Sequence, residues 1–220
     1  MLKKLITTSD GSHTIFVPEL NEHFHSVNGA AGESMIVYIQ NGFNFCKSDP
    51  LNILEIGFGT GLNALLTLMC SLSEKRTVNY TSIEKFPLGK EITDQLNHSH
   101  FAGEKGAYLS DLIHAAEWDL PVKLTEEFTL SKIKDDFVTM RLPGMFNLIY
   151  FDAFGPDKQP EMWSESLFRK ISASALPGAV FVTYSAKGTV KRALCSCGFE
   201  VSLLQGPPGK REVIRAIKKD

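Results

Sequence analysis

The chain has 220 residues, 43% hydrophobic and 22% charged, with 25 acidic and 23 basic side chains and a formal net charge of −2. That balance excludes a disordered or collagen-like chain and a general basic coat for nucleic acid. No run reaches the roughly 20 apolar residues that cross a bilayer, and the length suits one α/β domain.

In chain order, residues 1–18 read as a small β-hairpin turning at Asp10-Gly11 between Leu5–Thr8 and Thr14–Val17. Met1-Leu2-Lys3-Lys4 is followed by no apolar block, so no secretory signal is expected. Residues 29–44 predict a helix, with Met35, Ile36, Ile39 and Phe43 at helical spacing. Next come a strand over 51–56, a helix over about 61–74, a strand over 78–83 and a helix over about 87–97. The longest apolar stretch, Leu62 to Leu72, is interrupted by Asn63 and leaves through Glu74-Lys75-Arg76. Residues 98–127, with Trp118 and Pro121, are the least readable and suggest an insertion or cap. Strands near 128–133 and 146–151, a helix over 160–174, a strand over 179–184 and a helix over 187–196 follow. Two closing strands, Phe199–Leu204 and Glu212–Ile217, are joined by Gly206-Pro207-Pro208-Gly209 as an antiparallel edge hairpin. Alternating strands and helices imply βαβ units and a parallel sheet covered on both faces. The expected organisation is a single domain over 1–220, an extension over 1–45 and a core over 51–220. Cys46, Cys70, Cys195 and Cys197 are too scattered for a disulfide framework, which points to the cytoplasm, and Cys195 and Cys197 are expected to be buried thiols.

Leu54-Glu55-Ile56-Gly57-Phe58-Gly59-Thr60-Gly61 is a strand ending in three alternating glycines that opens a helix. Glycines let the chain turn sharply and let a ligand approach the amides at the helix start. The spacing differs from the dinucleotide fingerprint, whose third glycine comes two residues later. Glu84 ends the next strand, 23 residues after Gly61, where a carboxylate can accept both ribose hydroxyl hydrogens. Asp135-Asp136-Phe137 follows the third strand, where an acid can receive an adenine amino group and an aromatic can cover the ring. Asp152 ends the fourth. Open α/β sheets bind ligands outside the carboxyl ends of their strands, and all four elements lie there. The alternative is a glycine turn without ligand, with Glu84 and Asp136 as capping acids.

The stretch Asp152-Ala153-Phe154-Gly155-Pro156-Asp157-Lys158-Gln159-Pro160-Glu161-Met162-Trp163 offers one acceptor and aromatic walls, which suit an amine or nucleobase. Together with His23-Phe24-His25-Ser26-Val27-Asn28-Gly29-Ala30, Glu33-Ser34, the glycine motif and Gly209-Lys210-Arg211-Glu212, it resembles the methyltransferase half of the bifunctional MnmC tRNA-modification enzymes and their stand-alone relatives. The resemblance covers about residues 8–217. It implies a Rossmann-like class I fold dependent on S-adenosyl-L-methionine (AdoMet), with a mostly parallel sheet, a C-terminal antiparallel hairpin and a small N-terminal β extension. The implied reaction converts 5-aminomethyl-2-thiouridine to 5-methylaminomethyl-2-thiouridine at the tRNA wobble position. Implied cofactor contacts are Glu55, Gly57, Phe58, Gly59, Gly61, Glu84, Lys85, Asp136 and Phe137. Asp152 would orient the amine and Phe154 stack on the base, with Lys158, Lys210 and Arg211 meeting RNA. The chain shows no second glycine fingerprint, so the preceding deprotection is expected either from a separate FAD-dependent oxidase or not at all.

Each role has a structural alternative: Asp152 capping a turn, Phe154 as a core aromatic, Lys158 as a solvated lysine. His23 and His25 lack a Cys pair or third ligand, so no metal is expected; His25 and Ser26 can instead hydrogen-bond the neighbouring loop. Glu33 and Ser34 either border the cofactor pocket or cap the helix. Residues 187–220 carry +5 against −7 for the remainder, a face able to hold an anticodon stem-loop or a merely solvated run. The competing functions are a spermidine-synthase-like aminopropyltransferase, a methyltransferase of another small amine or nucleobase, and an RNA-binding module with a vestigial pocket.

Overall fold

The structure, a computed structural model, describes residues 3–219. Strands β1 (Lys4–Thr7) and β2 (His13–Val17) pair antiparallel with Leu5 opposite Ile15. Residues 1 and 2 of the predicted hairpin segment lie outside the described residues. Asp10 fixes the turn: its carboxylate accepts the Ser12 amide at 3.0 Å and the Gly32 amide at 2.9 Å, tying the hairpin to the next helix. A short third strand, β3 (Glu22–His23), completes this sheet. The predicted helix over 29–44 forms as α1 (Ala30–Ser34) and widens into a π-helix over Met35–Phe43, with the Asn44 amide reaching back to the Ile39 carbonyl at 2.8 Å. Gly42 is where this helix presses on the main sheet, since a Cβ there would stand 3.0 Å from the Tyr150 ring.

The main sheet has eight strands in the order β10-β11-β9-β8-β4-β5-β7-β6. They are β4 (Leu51–Ile56), β5 (Val78–Ile83), β6 (Pro121–Lys123), β7 (Phe128–Ile133), β8 (Phe146–Phe151), β9 (Ala175–Thr183), β10 (Phe199–Gln205) and β11 (Glu212–Lys218). Strands β7, β5, β4, β8 and β9 run parallel, while β6 lies antiparallel at one edge and β10–β11 form the predicted hairpin at the other. Side chains alternate into two apolar layers. Ile53, Tyr80 and Tyr150 meet α2 (Leu62–Glu74) on one face, and Leu54, Ile149 and Phe151 meet α5 (Glu165–Ala173) on the other.

Five expectations are corrected. The helix expected over 87–97 is one turn, α3 (Lys90–Thr93), because Pro87 and Gly89 delay it, and a 3-10 turn over His98–Phe101 follows. Residues 98–127 are not a cap: α4 (Gly106–Ala115) buries Leu109 and Ile113 against α2 as the crossover between β5 and β7, and β6 extends the sheet. Cys195 is exposed and only Cys197 is buried, because α6 (Gly188–Ser196) turns Leu194 inward instead. The helix predicted from 160 opens as a 3-10 turn, Pro160–Trp163, and β9 starts at Ala175 rather than 179. Among the described residues, no helix is long and apolar enough to cross a membrane.

Candidate active site

The parallel strands bring Ile56, Ile83, Ile133 and Phe151 to one end of the sheet, and the loops that follow them enclose a cavity of about 440 Å³. That is within the usual range for a small-molecule site. The glycine loop follows from close approach. Gly57 has φ +92°, and a Cβ on it would lie 2.7 Å from the Asp152 carbonyl, so the loop can pass over the end of β8 only with glycine. The Asp152 amide donates to the Ile56 carbonyl at 3.0 Å, carrying the β4–β8 pairing one residue beyond the strands.

Glu84 stands just past β5, half-buried, and its carboxylate accepts the Gly59 amide at 3.2 Å and the Phe86 amide at 2.8 Å. It therefore links the glycine loop to the next loop at the cavity wall. Asp136 accepts the Val138 amide at 2.9 Å and pairs with Lys85 at 2.8 Å; that ammonium holds its carboxyl below the ordinary value. Phe137 is buried edge-on to Phe151, whereas Phe86 is exposed at the rim.

Asp152 lies half-buried in the cavity wall. Its Oδ2 accepts the Asn63 amide at 2.8 Å from the first turn of α2. Burial raises its pKa, opposed chiefly by the nearby His25 and the Tyr38 hydroxyl. The loop beyond it is pinned through its carbonyls: Tyr184 donates its hydroxyl to Ala153 at 2.8 Å, and Trp163 donates its indole N–H to Phe154 at 2.8 Å. The half-buried Phe154 ring meets Phe24 edge-on at 5.3 Å, so two aromatics wall this side. His25, 9% exposed, contacts Thr60 Oγ1 at 3.3 Å and stacks on His98. Burial lowers the pKa of both imidazoles, that of His98 to about 3.

Of the residues singled out from sequence, Gly57, Phe58, Gly59, Glu84, Lys85, Asp136, Phe137, Asp152 and Phe154 line this one cavity. Five do not. Glu55 is 0% exposed beneath the floor, accepting the Ser82 hydroxyl at 2.6 Å, because its side chain falls on the core face of β4. Gly61, with φ +76°, is the N-cap of α2 and sits behind the Phe58 ring. Lys158 is exposed on the loop outside the cavity. Lys210 is not free for RNA: its ammonium pairs with Glu33, whose side chain is 8% exposed, and lies 4.0 Å from the centre of the Tyr184 ring. Arg211 is exposed beside it. Glu33 also accepts the Ser26 amide at 2.8 Å, so it braces a loop rather than lining the cavity. His23 packs on Phe16 at 4.7 Å, and among the described residues no group of three His, Cys, Asp or Glu side chains is placed to hold a metal. Sequence reading missed Asn63, Tyr184 and His98; the one available signal was a lone amide in the apolar start of α2.

The cavity fits a nucleoside cofactor. Carboxylate acceptors stand at Glu84 and Asp136, ring faces at Phe86 and Phe137, and a Cβ on Gly59 would crowd Phe24 at 3.3 Å. Two lysines, Lys3 and Lys85, line the wall, and Lys85 is paired with Asp136.

Residues 111–219 match the family described as S-adenosyl-L-methionine-dependent methyltransferase. The chain is 33% identical over 224 residues to the tRNA 5-methylaminomethyl-2-thiouridine biosynthesis bifunctional protein MnmC of Cupriavidus metallidurans, covering 94% of this chain and 33% of that protein. It thus spans about a third of the length of the curated relatives it matches. The fold is similar to that of MNMC2 from Aquifex aeolicus, with TM-score 0.80 and 22% identity over 98% of this chain and 69% of that one. It is also similar to spermidine synthase from Thermotoga maritima, with TM-score 0.60 and 12% identity over 100% of this chain and 72% of that one. These two likenesses bear on the fold alone.

Proposed function

We propose that this chain, whose residues 111–219 match the S-adenosyl-L-methionine-dependent methyltransferase family and which is similar to MnmC proteins, methylates the exocyclic amine of 5-aminomethyl-2-thiouridine at the tRNA wobble position, giving 5-methylaminomethyl-2-thiouridine. We read residues 1–220 as one domain acting in the cytoplasm on the anticodon stem-loop, with an FAD-dependent oxidase acting upstream where deprotection is needed. The relative's own name supports the substrate. The observation that carries the reading is the Asp152 carboxylate, half-buried in the cavity wall at the end of β8 with one oxygen already engaged.

AdoMet, when bound, supplies an electrophilic methyl group on a sulfonium sulfur. Gly57, Phe58, Gly59, Glu84, Lys85, Asp136 and Phe137 would hold it, Glu84 by accepting ribose hydroxyls and Asp136 by accepting an amino group. A carboxylate has four lone-pair sites, so Asp152 Oδ1 can accept an amine N–H while Oδ2 stays on Asn63. That bond turns the nitrogen lone pair toward the reacting carbon, and positioning is most of what such a transfer requires. The proton lost from nitrogen is taken at Oδ1 or passed to water. Phe154 stacks on the uracil face, a contact worth about 1–3 kcal/mol per base, and with Phe24 it excludes water. A wobble base is unpaired, so little energy is needed to extrude it. Lys158 and Arg211, with the exposed Lys191, Arg192 and Lys219, offer phosphate contacts.

Nucleoside mass spectrometry of tRNA from a strain lacking the protein tests the reading. It predicts that the aminomethyl nucleoside accumulates at the expense of the methylaminomethyl one; unchanged methylaminomethyl uridine would overturn it.

A further inference from the structure

Asn63 lies in the first turn of α2 amid Leu62, Ala64, Leu65 and Leu66, and is 3% exposed. It does not line the cavity. One end of its amide donates to Asp152 Oδ2 at 2.8 Å, while the other, Oδ1, is buried without a partner among the described residues. Burying an amide oxygen unpaired is unfavourable, so an apolar side chain would suit the packing better. The Tyr38 hydroxyl, from the π-helix, also engages the Asp152 carboxylate, whereas the Asn63 amide reaches Oδ2 from the first turn of α2, directly after the glycine loop.

We propose that Asn63 is a positioning residue for methyl transfer, fixing the rotation of the Asp152 carboxylate so that Oδ1 meets the substrate amine. This rests on the reading of Asp152 given above. The groups facing Asp152 from the other packed elements are His25, Glu33, Tyr38, Glu55, Tyr80 and Tyr184. Of these, Glu33 raises the Asp152 pKa whereas His25 and Tyr38 lower it, as Asn63 does. Removing Asn63 therefore moves the Asp152 titration upward.

The test compares wild type with Asn63→Ala in two readouts. The first is a carboxyl carbon-13 NMR titration of Asp152 in the protein without substrate. The second is kcat and KM for methyl transfer to aminomethyl-bearing tRNA, with AdoMet Kd from calorimetry. Expected are an upward-shifted titration, a kcat lowered at least about tenfold, and an AdoMet Kd within about threefold of wild type, the pattern of a group acting on the reacting geometry. A folded Asn63→Ala protein with unchanged titration and unchanged kcat overturns the proposal. Should that variant not fold, Asn63→Leu keeps the approximate shape and removes the donor; the same losses are expected, and full kcat overturns the proposal. Failure of the substrate reading is distinguishable, because wild type would then transfer no methyl to this tRNA while the titration shift would persist.

Discussion

Replacing Glu55 by Gln removes a proton that the fold itself holds. Glu55 is 0% exposed, and desolvation outweighs the Ser82 hydroxyl bond and pushes its pKa from 4.5 to about 8. The native state therefore keeps this proton between pH 4.5 and about 8 while the unfolded chain releases it. A raised folded-state value means the contribution is complete below pH 4.5 and is lost as pH climbs through about 8. Within that window stability falls by about 1.4 kcal/mol per pH unit from this group, about 5 kcal/mol in all, a large part of a typical 5–15 kcal/mol total. Gln has the same shape and no titration. Urea unfolding of both proteins at intervals from pH 5 to 9 reads Glu55, because groups not coupled to it cancel in the difference. The Glu55→Gln protein should lose less stability with rising pH by about 1.4 kcal/mol per unit up to about pH 8, after which the two curves run parallel. Curves parallel from pH 5 onward would show that Glu55 ionises normally and would refute the reasoning.

Glu84→Ala releases the Gly59 and Phe86 amides and should weaken calorimetric AdoMet binding at least tenfold, about 1.4 kcal/mol; unchanged affinity would remove Glu84 from the site. Lys210→Ala leaves the Glu33 carboxylate buried without its cation and should lower stability to urea by about 1–3 kcal/mol, where a plain RNA contact would leave it unchanged. Arg211→Ala, at an exposed position, should keep wild-type stability while reducing the salt slope of tRNA binding by about 1; an unchanged slope would assign that side chain elsewhere.

Strands β4, β5, β7 and β8 were legible because β4 and β8 are short apolar runs and β5 and β7 alternate apolar with polar residues. The cavity was legible because its walls are strand-end residues at positions a parallel sheet must bring together, as with Gly57, Glu84 and Asp152. Helix α4 was not, since it faces the core with only Leu109, Leu112 and Ile113 among polar neighbours. Sequence also gave no means of telling which charges are already paired. Lys210 reads as a phosphate contact and is instead held by Glu33 and Tyr184, contacts from chain segments 177 and 26 residues away. Glu55 reads as part of the ligand loop, but strand alternation turns it inward. Asn63 reads as an interruption of an apolar stretch, and its partner, Asp152, is 89 residues away.

The most direct measurement follows methyl-labelled AdoMet into tRNA carrying 5-aminomethyl-2-thiouridine, with wild type and Asp152→Ala side by side at matched cofactor occupancy. Label should appear in 5-methylaminomethyl-2-thiouridine with wild type and fall by at least about tenfold with Asp152→Ala. Equal labelling by both proteins, or none by wild type, would contradict an amine held at the Asp152 carboxylate.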